Sequence, residues 1–291
     1  MKDQAHQLRK IVAMLKENRV LNEKKQNRIV TITSGKGGVG KTTFTVNLAI
    51  SLSSKGFRVL IIDGDFGLAN VNIVLGIPVK YDLSHVLSKE KTVKEIITDG
   101  PNGIKFISGG HGLSELLGLS QDDLENYIAQ LMELEDIADV ILIDTGAGIT
   151  DNIMKLIFSS NDVILVTTPE PTALMDAYAL TKTVASINRD VSLRLVVNMA
   201  QSVEEAENTM ANFSVLTNTY LNMKVDGLGY MLYDKAATEA VRLQTPFFNS
   251  FPKSEVSKNI QQIVMKFIDQ PAEIFYKNNL QKFLHKFFIR K

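Results

Sequence analysis

The chain has no cysteine and only four histidines among its 291 residues. Without cysteine there is no disulfide, no thiolate nucleophile and no ligand set for an iron–sulfur cluster. His6, His85, His111 and His285 show no metal-ligand spacing, so a histidine-held metal is not expected. No apolar run approaches the length of a membrane span, and the polar, charged amino terminus has no signal-peptide pattern. A cytoplasmic location is the expectation. An excess of one charge is missing too, because 32 Lys and Arg balance 32 Asp and Glu. The balance hides a strong asymmetry: residues 1–28 carry a formal +5, residues 277–291 another +5, and the body between them −10. Two basic ends on an acidic body place electrostatic attraction at the ends, and nucleic acid is not expected as a partner of the core.

Short apolar, β-branched runs recur at 29–33, 58–62, 104–107, 140–143, 162–166, 193–197 and, more weakly, 227–232. Segments of crossover-helix length and composition, such as 43–54 and 172–187, lie between them. Runs apolar on both faces fit strands of a mostly parallel sheet covered by helices on each side. The expected fold is a doubly wound α/β domain over 29–272. Residues 1–20 read as an amphipathic helix, 21–28 as a linker and 273–291 as a second amphipathic helix, both helices attached to the sheet rather than built into it.

The strand at 29–33 runs into Gly35-Lys36-Gly37-Gly38-Val39-Gly40-Lys41-Thr42-Thr43. Gly35, Gly40, Lys41 and Thr42 satisfy the phosphate-loop pattern G-x-x-x-x-G-K-[ST] in the strand-then-helix context it requires. Glycines let successive backbone N–H groups face phosphate oxygens, and the following helix presents its positive end. Lys41 is expected on the β- and γ-phosphates and Thr42 on Mg²⁺. Gly35, Gly37 and Gly40 also fit the dinucleotide fingerprint, with Asp63 near the position of a ribose-binding acid. The lysine directly after the last glycine and the metal-binding Thr42 favour a nucleoside triphosphate.

Two strands end in acids. The run 58–62 leads to Asp63-Gly64-Asp65, and 140–143 leads to Asp144-Thr145-Gly146-Ala147-Gly148. Carboxylates at the carboxyl ends of strands lie where ligands bind in open α/β sheets. One such acid can support Mg²⁺ and another can orient or deprotonate the attacking water. Asp63 and Asp144 are the expected metal-supporting acids, and Asp65 is the hydrolytic one.

These three motifs, in this order, resemble the deviant-Walker-A ATPases related to MinD and ParA, over roughly residues 28–270. The resemblance implies ATP/ADP and Mg²⁺ as cofactors and an ATP-dependent homodimer. It also implies that Lys36 reaches the partner's nucleotide, that Asp65 is needed for hydrolysis, that Asp144 senses the γ-phosphate, and that Asn198 contacts adenine. The guanine signature N-K-x-D is absent, in keeping with ATP. Asp3-Gln4-Ala5-His6-Gln7-Leu8-Arg9 is similar to the D-Q-A-x-x-L-R signature of the flagellar FlhG branch of that family (also FleN or YlxH). There the amino-terminal helix stimulates an FlhF-type GTPase, so Asp3, Gln4, Ala5, Leu8 and Arg9 are implied as GTPase-activating residues. Proteins of the flagellar C-ring are implied as further candidate partners.

At the other end the family has a membrane-targeting helix. Phe283, Leu284, Phe287 and Phe288 form an apolar stripe, with Lys282, Lys286, Arg290 and Lys291 placed to attract anionic lipids. The implied location is reversible and peripheral on the inner face of the membrane. A helix packed on its own domain would show the same stripe.

Overall fold

Val- and Ile-rich runs with no polar alternation need cover on both faces, and the computed structural model supplies it. The structure describes residues 27–65, 70–110, 121–269 and 280–289. Asp3, Gln4, Ala5, Leu8, Arg9 and Arg290 lie outside the described residues, as does most of the stretch read as linker.

In chain order the elements are β1 (Arg28–Ser34), α1 (Lys41–Ser53), β2 (Val59–Gly64), α2 (Val71–Leu75), α3 (Leu83–Leu87), β3 (Thr98–Asp99), β4 (Lys105–Ile107), α4 (Gln121–Met132) and β5 (Val140–Ala147). They continue as α5 (Asp151–Ser159), β6 (Asp162–Thr167), α6 (Pro171–Ile187), β7 (Leu193–Ala200), α7 (Val203–Leu221) and β8 (Asp226–Leu232). The last are α8 (Lys235–Arg242), α9 (Phe247–Ser250), α10 (Glu255–Ile268) and α11 (Leu280–Ile289). The eight strands form one sheet in the order β3-β4-β2-β5-β1-β6-β7-β8, and every pairing except β3 with β4 is parallel.

Successive residues of the central strands enter opposite cores. Val30 and Ile32 of β1, and Ile164 and Val166 of β6, pack under α1 and α10. Val163 and Leu165 turn to the other side, under α5, α6 and α7. Ile29, Ile141 and Ile143 join a third cluster with α3, α4 and α11. The chain leaves β1 for β2 on one side and later crosses to β6 on the other, so the strand order reverses at β1. A crevice at the carboxyl ends of strands opens at such a switch point, and the glycine loop follows β1 there.

β1 begins at Arg28, one residue inside the stretch read as linker. Arg28 is fully buried: its Nε donates to Asp162 at 2.7 Å, one Nη donates to the Phe267 carbonyl at 2.8 Å, and its guanidinium lies 3.7 Å from the centre of the Phe267 ring. Two further differences concern length and placement. The two-residue β3 was not foreseen, because an antiparallel edge pair that short is set by the neighbouring strand. And α11 does not stand apart: Leu280, Phe283, Leu284 and Phe287 are buried in the cluster that holds Tyr127, Leu131 and Leu156. The Phe288 ring meets the Tyr127 ring edge-on at 6.1 Å. The stripe expected to face lipid faces the body here, while Lys282 is exposed and Lys286 half-buried.

Candidate nucleotide-binding site

β1 delivers the loop at Gly35, and α1 takes over at Lys41. Gly35 packs so closely on α6 that a Cβ there would overlap the Asp176 backbone. Gly40 caps α1 in the left-handed region, with φ 83°. The Ser34 hydroxyl donates to the Lys36 carbonyl at 2.9 Å, which folds the start of the loop back on the strand. Lys36 itself lies at the exposed rim. Its Nζ donates to Thr172 Oγ1 at 2.9 Å and meets Glu170 Oε2 at 3.5 Å.

Opposite the loop, β5 presents Asp144 fully buried. Its two oxygens accept the hydroxyls of Thr42 at 2.6 Å and Thr45 at 2.8 Å. Burial pushes the Asp144 carboxyl up from its ordinary pKa, against the lowering pull of the Lys41 charge and the two hydroxyls. Gly148 N–H donates to the Ser34 carbonyl at 3.0 Å, so the end of β5 is tied back to the start of the loop.

Asp63 and Asp65 have separated jobs. Asp63 is buried and turned to the backbone: one oxygen accepts the N–H groups of Asn70 at 2.8 Å and Val71 at 3.0 Å, the other that of Asp65 at 3.2 Å. Instead of presenting oxygens to a metal, it clamps both ends of the segment from 65 to 70. Burial, with Asp144 nearby, raises its pKa to about 6. Asp65 is half-buried and faces Gly146, where a Cβ would lie 3.5 Å from its carboxylate.

Asp144 thus feels the charges of both Lys41 and Asp65, Asp63 lies near it, and Asp63 and Asp144 are held above their ordinary pKa. Such a site is short of positive charge, and the hydroxyl-plus-carboxylate pair Thr42–Asp144 is the oxygen donor set a hard divalent cation takes. The residues fit a Mg²⁺–nucleotide.

Beside Gly40 and Thr43 a cavity of about 340 Å³ opens, bordered by Asn198, Met199, Tyr233 and Thr238. That is room for a base at the loop end of the site. Asn198 lines it, but its amide is already engaged, donating to the Val39 carbonyl at 2.7 Å. The sequence reading missed Thr45, Glu170, Thr172, Tyr233 and Thr238. Thr45 lies one turn from Lys41, and Glu170 follows β6 at the carboxyl edge of the sheet, so both carried a positional signal. Tyr233 and Thr238 carried none.

A family model described as ParA: NUBPL iron-transfer P-loop NTPase matches residues 25–268. The antiactivator FleN of Pseudomonas aeruginosa is 32% identical over 262 residues, covering 89% of this chain and 92% of its own. The flagellum site-determining protein YlxH of Helicobacter pylori is 32% identical over 265 residues, covering 90% and 89%. Among solved structures, the septum site-determining protein MinD of Pyrococcus horikoshii, complexed with Mg-ADP, superposes with a TM-score of 0.67 at 26% identity, over 87% of this chain and 100% of that one. The chain belongs to the ParA/MinD family of P-loop ATPases, in the branch that includes FleN and YlxH.

Proposed function

We propose that this MinD-like positioning ATPase is a dimerising switch for flagellar number and placement, which binds anionic membrane through its carboxy-terminal helix and stimulates an FlhF-type GTPase through residues 1–20. The observation that carries the switch is Lys36. It belongs to the phosphate loop by sequence, yet its ammonium rests at the exposed rim on Thr172 and Glu170. From there it is available to a second protomer's nucleotide.

Within one protomer, the loop N–H groups of 35–41 and Lys41 would bind the phosphates, and Thr42 with Asp144 would hold Mg²⁺. Bound Mg²⁺ neutralises charge on the β- and γ-oxygens. Asp144 would exchange its present bonds from Thr42 and Thr45 for the loaded arrangement, so that β5 and the 145–148 turn register the nucleotide. Asp65, placed by the Asp63 clamp, would orient or deprotonate the attacking water. Membrane engagement would need α11 to leave its seat, because Phe283, Leu284 and Phe287 cannot face lipid and the body together. Docking and insertion therefore compete, and dimerisation would tip the balance.

The test couples the steps. With Asp65→Ala to block turnover, ATP should raise co-sedimentation with vesicles containing anionic lipid, and phosphate release should be lost. Equal vesicle binding with and without ATP would overturn the membrane switch. A peptide of residues 1–20 should accelerate the cognate GTPase, and Gln4→Ala should abolish the effect; no acceleration would overturn the activator role.

A further inference from the structure

We infer that Asn198 is a positioning residue for the phosphate loop, bracing the Val39–Gly40 peptide so that the Gly40 N–H faces the phosphates. This rests on the nucleotide reading above and gives Asn198 a task other than contacting the base. Asn198 ends the buried run of β7 and is 7% exposed. Its Nδ2 donates to the Val39 carbonyl at 2.7 Å, and its Oδ1 accepts the Met199 N–H at 2.9 Å. The two bonds fix which way the amide points. A flipped amide would set oxygen against the Val39 carbonyl oxygen and N–H against N–H.

The bond matters because a peptide is planar and trans, so its C=O and N–H point in opposite directions. Holding the Val39 carbonyl toward β7 turns the Gly40 N–H the other way, into the loop. The position needs such a hold, since Gly38 and Gly40 both sit at positive φ, 81° and 83°, where glycine moves freely. The fit is close: a Cβ at Gly40 would overlap the Asn198 amide nitrogen. Met199, next along, is kept in the left-handed region at φ 58°, a conformation non-glycine residues hold only when their surroundings impose it.

The experiment separates a brace from a base reader by using a ligand without a base. ATP and inorganic tripolyphosphate are titrated, the latter by competition, into wild type, Asn198→Ala and Asn198→Asp, all without turnover. The Asp variant keeps the size and the acceptor for Met199 but cannot donate to Val39; the Ala variant adds no charge. Removing the donor leaves a buried carbonyl unsatisfied, so both ligands should bind between about 5- and about 100-fold more weakly, and by the same factor. Hydrogen exchange in the nucleotide-free proteins should accelerate across residues 35–41 while the amides of β6 stay protected, which also shows that the variants fold. Loss of ATP affinity with tripolyphosphate binding unchanged, or unchanged exchange across 35–41, would overturn the brace. If wild type bound neither ligand, the nucleotide reading itself would fall instead.

Discussion

Leu131 offers a way to weaken the seat of α11 without touching α11. It is buried on α4, in the cluster that receives Phe283, Leu284 and Phe287, and it borders a small apolar cavity of about 50 Å³ beneath the helix. Truncating a buried leucine to alanine costs about 2–5 kcal/mol, from lost transfer free energy and the cavity left behind. Leu131 shares its cluster with residues of the body and of α11, and taking half of that cost, ~1–2.5 kcal/mol, as lost from docking sets the scale. At 1.4 kcal/mol per tenfold, docking should weaken by about 5- to 60-fold. The free helix is unchanged, so its affinity for lipid is unchanged as well. Leu131→Ala should therefore raise vesicle binding by the nucleotide-free protein, toward the level wild type reaches with ATP. The assay is co-sedimentation with anionic vesicles, well below the melting temperature of the variant. Proteolysis within 280–289 should quicken in parallel. Unchanged or reduced vesicle binding, with proteolysis accelerated, would refute the competition between docking and insertion.

Three other outcomes follow from the site and core. Asp144→Asn removes the carboxylate that accepts from Thr42 and Thr45; Mg²⁺-dependent ATP binding, measured by calorimetry, should weaken by about 10- to 100-fold, while the melting temperature without nucleotide should not fall, because a costly buried charge is gone. Asp63, held up to about pH 6, keeps its proton in the folded state at pH values where the unfolded chain has released it. The folded state then binds more protons, so this group's contribution to stability declines as pH rises from about 4 to about 6, by about 3 kcal/mol in all. Urea unfolding at pH 4.5 and pH 7 should show a larger decline in wild type than in Asp63→Asn, which keeps only the part due to the buried Asp144; an equal decline in both would count against it. Arg28→Ala takes from the buried Asp162 one of two ion pairs, leaving Arg194 at 3.1 Å and the Ser192 hydroxyl at 3.1 Å on its other oxygen, and should cost about 1.5–3 kcal/mol in urea unfolding; a cost below about 0.5 kcal/mol, a third of the lower figure, would mean the pair is not buried as described.

The sheet was legible because Ile141–Ile143 and Val163–Val166 are apolar at every step, as strands covered on both faces are, and Ile29–Thr33 departs from that only at its two threonines. The phosphate loop was legible because glycine spacing, lysine and threonine are each demanded by one ligand. The carboxylates were located but not fully assigned. Whether Asp63 faces a cation or the backbone depends on the path from Asp65 to Val71, which no local pattern encodes. Asn198 shows the same limit: its bond to Val39 spans 159 residues. α11 marks another, since an apolar stripe at helical spacing is identical for a helix that meets lipid and one that meets its own core. The cavity beside Gly40 drew Tyr233 and Thr238 from beyond β8, where nothing in composition distinguishes them from ordinary surface residues.

The central claim is that the nucleotide joins two protomers through Lys36, and light scattering tests it directly. With ATP and Mg²⁺, Asp65→Ala should move from the monomer mass of 32.3 kDa to about twice that value, and adding Lys36→Ala should return it to monomer while ATP still binds. A monomer in both cases, or a dimer that survives the loss of Lys36, would contradict the account.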